Sequence, residues 1–231
     1  MELAAGFSWV RVSVDAATPG TYAAIRNTKP ENFHKVLKHL AYLSILIDNG
    51  KTGCVLGMGF VVTDRNWQEV YDGVRIARQH GAANIRISAY FNPEQEKPFL
   101  GFYDECRDLI SRAKADFETD TFKVYDRFGE RVEDLRQGSP DYSTCHYQHY
   151  TTYVGGDMRA YRCCVLAYNQ RGLIPGGDLS NRRFDEFWAS GERKADMDAL
   201  DARGCPSCYF NDKNRAMGRL LDIRPLHVEF P

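Results

Sequence analysis

Residues 1–92 alternate between hydrophobic patterns that are typical of strands and of helices. Every second position is apolar in the predicted outer strands, whereas apolar residues recur three to four positions apart in the segments between strands. The predicted strands cover residues 9–15, 54–62 and 85–91, and the predicted helices between them cover residues 30–47 and 66–81. Because strands and helices alternate, the order predicts a parallel α/β sheet with right-handed crossovers.

The second of these predicted helices begins with residues that favour a helix N-terminus. Asn66 is a good N-cap residue, and Glu69 follows three positions later, which resembles a capping box. Further along, residues 99–113 again show helical spacing of apolar residues, and Cys106 falls on their buried stripe.

The predicted strands have one apolar face and one unusual face. Strands buried on both sides are normally apolar throughout, yet the outer two carry Arg, Ser, Asp or Tyr at alternate positions. The middle strand has Gly57 and Gly59 on one face. A curved sheet whose polar face lines a ligand-binding lumen explains this pattern. A flat sheet with a few hydrogen-bonded polar residues is the alternative.

Composition narrows the class of protein. The chain has 231 residues, is 43% hydrophobic and has a formal charge of -1. This size and hydrophobicity suit a packed core, and the charge gives no reason to expect nucleic acid or an anionic membrane as a partner. With no signal-peptide pattern at the N-terminus and no long apolar run, we expect a cytoplasmic protein.

Seven cysteines require an explanation in such a protein. A reducing cytoplasm and an odd count both argue against a disulfide framework. Cys54 and Cys106 lie in apolar patterns and are interpreted as core residues. The remaining five are Cys145, Cys163, Cys164, Cys205 and Cys208.

These five cysteines surround predicted secondary structure in a way that suggests a metal site. Cys205 and Cys208 form a CxxC, and Gly155–Gly156 predicts a hairpin between Cys145 and the Cys163–Cys164 pair. A two-residue turn would put Cys164 on the face of Cys145, and a three-residue turn would put Cys163 there. Four thiolates suit zinc or an iron–sulfur cluster. A redox CxxC with core cysteines elsewhere is the alternative.

The chain resembles the radical SAM family. The stretches FSWVRVSVDAATPGTYAAIRN and GMGFVVTDRNWQEVYDGVRIARQHGAANIRISAY are similar to the latter half of its partial (βα) barrel, strands four to six. The order of the cysteines, with GGDLSNRRFDEFWAS between them, resembles a SPASM or twitch domain, a small α+β domain with an auxiliary 4Fe-4S cluster. The resemblance implies a half barrel in residues 1–92, a bridge in residues 93–141 and a twitch-like domain in residues 142–231.

The resemblance also implies site residues and cofactors. The auxiliary-cluster ligands would be Cys145, Cys163, Cys205 and Cys208, with Cys163 favoured over Cys164 by the family pattern. S-adenosylmethionine would contact polar residues at the strand ends, for which Ser13, Asp15 and Arg86 are the candidates. An ion pair between Arg11 and Asp15 is the structural alternative. No catalytic residue is identified.

One departure from the family limits the expected function. The CxxxCxxC motif that binds the SAM-cleaving cluster is absent from the sequence, as are the first three strand–helix units. The chain is therefore expected to be the C-terminal portion of an enzyme that abstracts a hydrogen atom from a small-molecule or peptide substrate. It would need an N-terminal half-barrel partner, or would self-associate through its open strand edge. A non-catalytic accessory protein that binds zinc or a cluster is the alternative.

Overall fold

The computed structural model describes residues 6–92, 96–167 and 172–221. The chain divides into two compact units, Met1–Glu133 and Asp134–Pro231. Within the described ranges, no helix has both the length and the apolar composition required to cross a membrane.

The first unit is built on a four-stranded parallel sheet with the strand order β1-β2-β3-β4. Its elements are β1 (Trp9–Ser13), α1 (Pro19–Arg26), α2 (Glu31–Gly50), β2 (Val55–Val62), α3 (Val70–Gln79), β3 (Asn84–Ala89), α4 (Tyr103–Phe117), β4 (Lys123–Arg127) and α5 (Phe128–Gln137), which crosses the boundary between the units. The predicted α/β class and the three predicted parallel strands are confirmed. Two further elements, α1 and β4, were not predicted from the sequence.

The two faces of this sheet differ as the alternation predicts. Met58, Ile85, Ile87 and Val124 lie on one face and are all at most 2% exposed. This face packs on helices, since a Cβ at Gly73 of α3 would lie 2.7 Å from the ring of Phe60. The other face carries two rows that run across all four strands, Arg11–Gly57–Asn84–Lys123 and Ser13–Gly59–Arg86–Tyr125.

The capping-box prediction for Asn66 and Glu69 is wrong. The Asn66 side chain makes no capping bond to the helix; its Nδ2 donates to the carbonyls of Asp15 and Val61, at 2.8 and 2.9 Å. Glu69 accepts hydrogen bonds from the Ala17 N–H and from the Thr18 and Thr21 hydroxyls. Both side chains therefore bind the loop after β1 instead of capping the helix.

The second unit contains a three-stranded antiparallel sheet with the order β5-β6-β7. Its elements are β5 (Tyr153–Val154), β6 (Arg159–Tyr161), α6 (Cys164–Ala167), β7 (Leu173–Asp178), α7 (Phe184–Trp188), α8 (Gly191–Ala199) and α9 (Asn211–Leu221). Its core cluster consists of Ala160, Ile174, Leu179 and Phe187. The predicted hairpin is confirmed as β5–β6. Val154 pairs with Ala160, and the Gly155 N–H donates to the Arg159 carbonyl, so the turn has three residues, 156–158, and is not the two-residue turn at Gly155–Gly156.

Two helical glycines of the first unit provide a matched test of this packing. Gly73→Ala places a methyl group against the buried Phe60 ring, so we expect a loss of about 1–3 kcal/mol in the free energy of unfolding. Gly20→Ala in α1 meets nothing within 4 Å. It should raise the free energy of unfolding by about 0.5–1 kcal/mol because it restricts the unfolded chain. Denaturant unfolding followed by circular dichroism measures both changes; equal effects at the two positions would contradict the packing of α3 on β2.

Candidate metal centre

The four cysteines that the resemblance singled out line one cavity in the second unit. Cys145, Cys163, Cys205 and Cys208 all border it. Cys164 borders a separate cavity, together with Tyr153, Asp157 and Tyr161. The structure thus groups the four residues of the predicted ligand set and separates the competing cysteine from them.

Short irregular segments place these thiols. Cys145 precedes a 3-10 turn at His146–His149, and Cys163 lies between the end of β6 and the start of α6. Because neither cysteine lies in a strand, the hairpin-face argument between Cys163 and Cys164 does not apply. Cys205 closes the 3-10 turn at Ala202–Gly204 by donating its N–H to the Ala202 carbonyl at 3.0 Å.

Two hydrogen bonds join these segments. One is between two backbone groups, and the other is between a backbone N–H and a side chain. The Ala202 N–H donates to the Ser143 carbonyl at 2.7 Å, which joins the segment before Cys145 to the segment before Cys205. The Tyr147 N–H donates to Asn214 Oδ1 at 2.9 Å, which joins the turn after Cys145 to α9. Asn214 is 2% exposed. These bonds hold together segments that are about sixty residues apart in the sequence.

The sulfur of Cys208 accepts three hydrogen bonds. The donors are the Tyr142 hydroxyl at 3.2 Å, the Phe210 N–H at 3.3 Å and Asn214 Nδ2 at 3.8 Å. Tyr142, Asn211 and Asn214 were not predicted as site residues from the sequence. A signal was present, because two asparagines three positions apart, directly after a CxxC, are poor helix formers that favour a polar role.

Burial controls the charge of the thiols. It raises the pKa of Cys163 to about 12 and the pKa of Cys205 to about 11, and it also raises the pKa of Cys145. These thiols are therefore neutral at pH 7 in the absence of a nearby cation. A bound metal reverses this preference because it stabilises the thiolate directly.

The residues present fit a metal group by donor type and number. In the described ranges, no group of three or more His, Cys, Asp and Glu side chains is arranged to hold a metal ion. Four thiols nevertheless border one cavity, and four cysteine ligands serve both zinc and iron–sulfur clusters. Gln148 also borders the cavity, and its buried Oε1 has no hydrogen-bond donor among the described residues. A bound group or water would satisfy it.

The predicted residues of the first unit fall into two sets. Ser13 and Arg86 flank Gly59 in one row of the polar sheet face, and a Cβ at Gly59 would lie 3.2 Å from Ser13 Oγ. Asp15 does not join them, since it lies in the loop after β1 and is 6% exposed. The structure therefore brings together two of the three candidate contacts for S-adenosylmethionine.

The contacts of Asp15 account for its burial. Its Oδ1 accepts the Val61 N–H at 2.8 Å, and its Oδ2 forms an ion pair with Arg26. The suggested ion pair with Arg11 is therefore wrong; the Arg11 guanidinium lies over the Trp9 ring instead. Asp15 also has φ 61°, in the left-handed region that Asp and Asn tolerate better than most residues. These contacts join the loop after β1 to β2.

Comparison with known proteins leaves the family assignment open. No family model matches the chain, and no curated protein matches it significantly. The resemblance to radical SAM enzymes accordingly stays a prediction that rests on the quoted residues.

Asp15 predicts a pH dependence of stability. Burial raises its pKa above the ordinary 3.8, outweighing the Val61 N–H and Arg26. The folded state therefore keeps the proton to higher pH than the unfolded state, and Asp15 contributes less stability as pH rises above 3.8. Asp15→Asn tolerates the same backbone conformation and does not titrate. Urea unfolding from pH 3.5 to 7 should show wild type losing stability relative to this variant as pH rises; a constant difference would contradict the role of burial.

Proposed function

We propose that the second unit holds an auxiliary 4Fe-4S cluster and that the chain is the C-terminal portion of a radical SAM enzyme. The observation that carries this proposal is the single cavity bordered by Cys145, Cys163, Cys205 and Cys208. The ligand set followed from the family resemblance, and nothing in the sequence forces these four thiols, rather than a set with Cys164, to border one space.

The residues around the cavity have definable tasks in this proposal. The four cysteines supply thiolates, and the bonds of Ala202 and Asn214 hold the ligand segments in register. The apolar side chains of Val165, Leu166, Leu200 and Phe210 border the same cavity and make its wall largely apolar. When bound, the cluster supplies a centre for one-electron transfer or for substrate positioning.

The first unit supports the proposal through its polar sheet face. We propose that this sheet is part of a (βα) barrel whose lumen is the face carrying the row Ser13–Gly59–Arg86–Tyr125. The guanidinium of Arg86 suits a carboxylate. SAM cleavage would require the CxxxCxxC cysteines from another segment or polypeptide, because the 231 residues lack that motif. With them, the enzyme would abstract hydrogen from a small molecule or peptide.

The second candidate is a non-catalytic accessory protein with a structural metal. The observation that favours it is the donor set itself, because four cysteines are also a common structural zinc set. In that case the metal would stabilise the second unit by linking its segments.

Metal and sulfide analysis after anaerobic purification tests the proposal. We expect about four irons and four sulfides per chain, as a four-iron cluster requires. Cys163→Ala removes a thiol from the cavity and should lose most of the iron. Cys164→Ala is the matched control, since its thiol borders the other cavity, and it should retain the wild-type content.

Three outcomes would count against this proposal. One zinc per chain without sulfide supports the accessory protein. Loss of iron in Cys164→Ala but not in Cys163→Ala contradicts the ligand assignment. A wild-type chain without bound metal, even after reconstitution with iron and sulfide, contradicts both candidates.

The edge of β1 predicts association with another strand. Val14 N–H donates to the Gly59 carbonyl, and the Ser8 carbonyl accepts from Val55, so the backbone groups of Arg11 point away from β2. Arg11→Pro removes an outward N–H, whereas Arg11→Ala keeps it. Sedimentation velocity should show concentration-dependent self-association in wild type and Arg11→Ala, and weaker association in Arg11→Pro. A monomeric wild type would reject self-association and leave the heterologous half-barrel partner.

A further inference from the structure

Tyr142 has a position that the proposed ligand set alone does not explain. Its hydroxyl lies 3.2 Å from Cys208 Sγ and 3.0 Å from Asn211 Oδ1. A tyrosine hydroxyl keeps its proton at pH 7, because its ordinary pKa is about 10. A neutral O–H is thus held against one particular ligand sulfur.

Asn211 fixes the position of this hydroxyl. It is fully buried at the start of α9, and its Nδ2 donates to Asp134 Oδ1 at 3.3 Å. That bond orients the amide so that its Oδ1 faces Tyr142. Because the tyrosine has a single hydroxyl proton, it donates either to Asn211 or to Cys208. A metal-bound Sγ carries negative charge, which favours the bond to sulfur.

We propose that Tyr142 is a positioning residue that raises the reduction potential of the cluster through its hydrogen bond to Cys208. The inference rests on the proposed function, since it requires an iron–sulfur cluster in the cavity. Reduction adds negative charge, and an O–H directed at a ligand sulfur stabilises the reduced state more than the oxidised one. Screening by solvent is reduced, because the side chains that border the cavity are buried or half-buried.

Tyr142→Phe tests this role with little change in shape. Cys208 keeps its bonds from the Phe210 N–H and Asn214 Nδ2, so we expect the iron and sulfide content to stay at the wild-type level. The midpoint potential, measured by anaerobic titration with electron paramagnetic resonance detection, should shift to a more negative value. A packing role would not move the potential, because the ring remains in place.

Tyr147→Phe is the matched control. Tyr147 borders the same cavity and stacks on Phe210 with ring centroids 4.0 Å apart. In the part of the chain that the structure describes, its hydroxyl bonds to none of the four cysteines. The same chemical change should therefore leave the midpoint potential unchanged.

The outcomes separate this inference from the proposed function. A wild-type chain without iron and sulfide defeats the proposed function before Tyr142 is considered. A loaded Tyr142→Phe with the wild-type potential defeats the inference alone. An equal shift in Tyr142→Phe and Tyr147→Phe also defeats it, because the cause would then be a general change in the cavity. A loaded cluster, a negative shift in Tyr142→Phe and no shift in Tyr147→Phe support it.

Discussion

The hydrogen bonds of Asn214 are the interaction on which the candidate metal centre depends. One amide accepts the Tyr147 N–H from the turn after Cys145 and donates to Cys208 Sγ and the Phe210 carbonyl. Burying an amide without hydrogen bonds costs free energy. Asn214 offsets this cost because both its Oδ1 and its Nδ2 form hydrogen bonds. The same contacts bring together the segments that carry the candidate cysteine ligands. These segments are distant in the sequence, so no local pattern predicts that they meet.

In the first unit, hydrogen bonds from polar side chains likewise hold the loops at the carboxyl ends of β1 and β2. Asp15, Asn66 and Glu69 each bond to backbone groups of a loop or strand distant in the sequence. Local patterns assigned two of them to a helix cap, but a cap satisfies only donors at one helix start. The long-range bonds satisfy backbone groups that would otherwise be buried without partners. In the proposed barrel, this end of the sheet borders the row that contains Ser13 and Arg86.

Elements with strong periodicity were predicted, and elements with weak periodicity were missed. The alternation in β1 and β3 and the apolar run in β2 identified the parallel sheet, including its polar face. β4 was missed because only Val124 of its five residues is strongly buried. The polar residues Lys123 and Asp126 interrupt the apolar alternation that identifies a strand. Asp126 is held by Arg107 at 2.9 Å, a contact that no local rule predicts. The hairpin was located by its glycines, but the choice between a two-residue and a three-residue turn was left open.

The sequence by itself determined the alternating α/β order, the one-sided polarity of the sheet and the presence of a hairpin and a CxxC near five clustered cysteines. Those features follow from the periods of strands and helices and from the backbone freedom of glycine, which act over a few residues. Only the tertiary structure decided that Cys163 rather than Cys164 borders the cavity with Cys145, Cys205 and Cys208. The directions in which the side chains of adjacent residues point depend on the backbone dihedral angles. For Cys163 and Cys164, these angles are set where β6 ends and α6 begins.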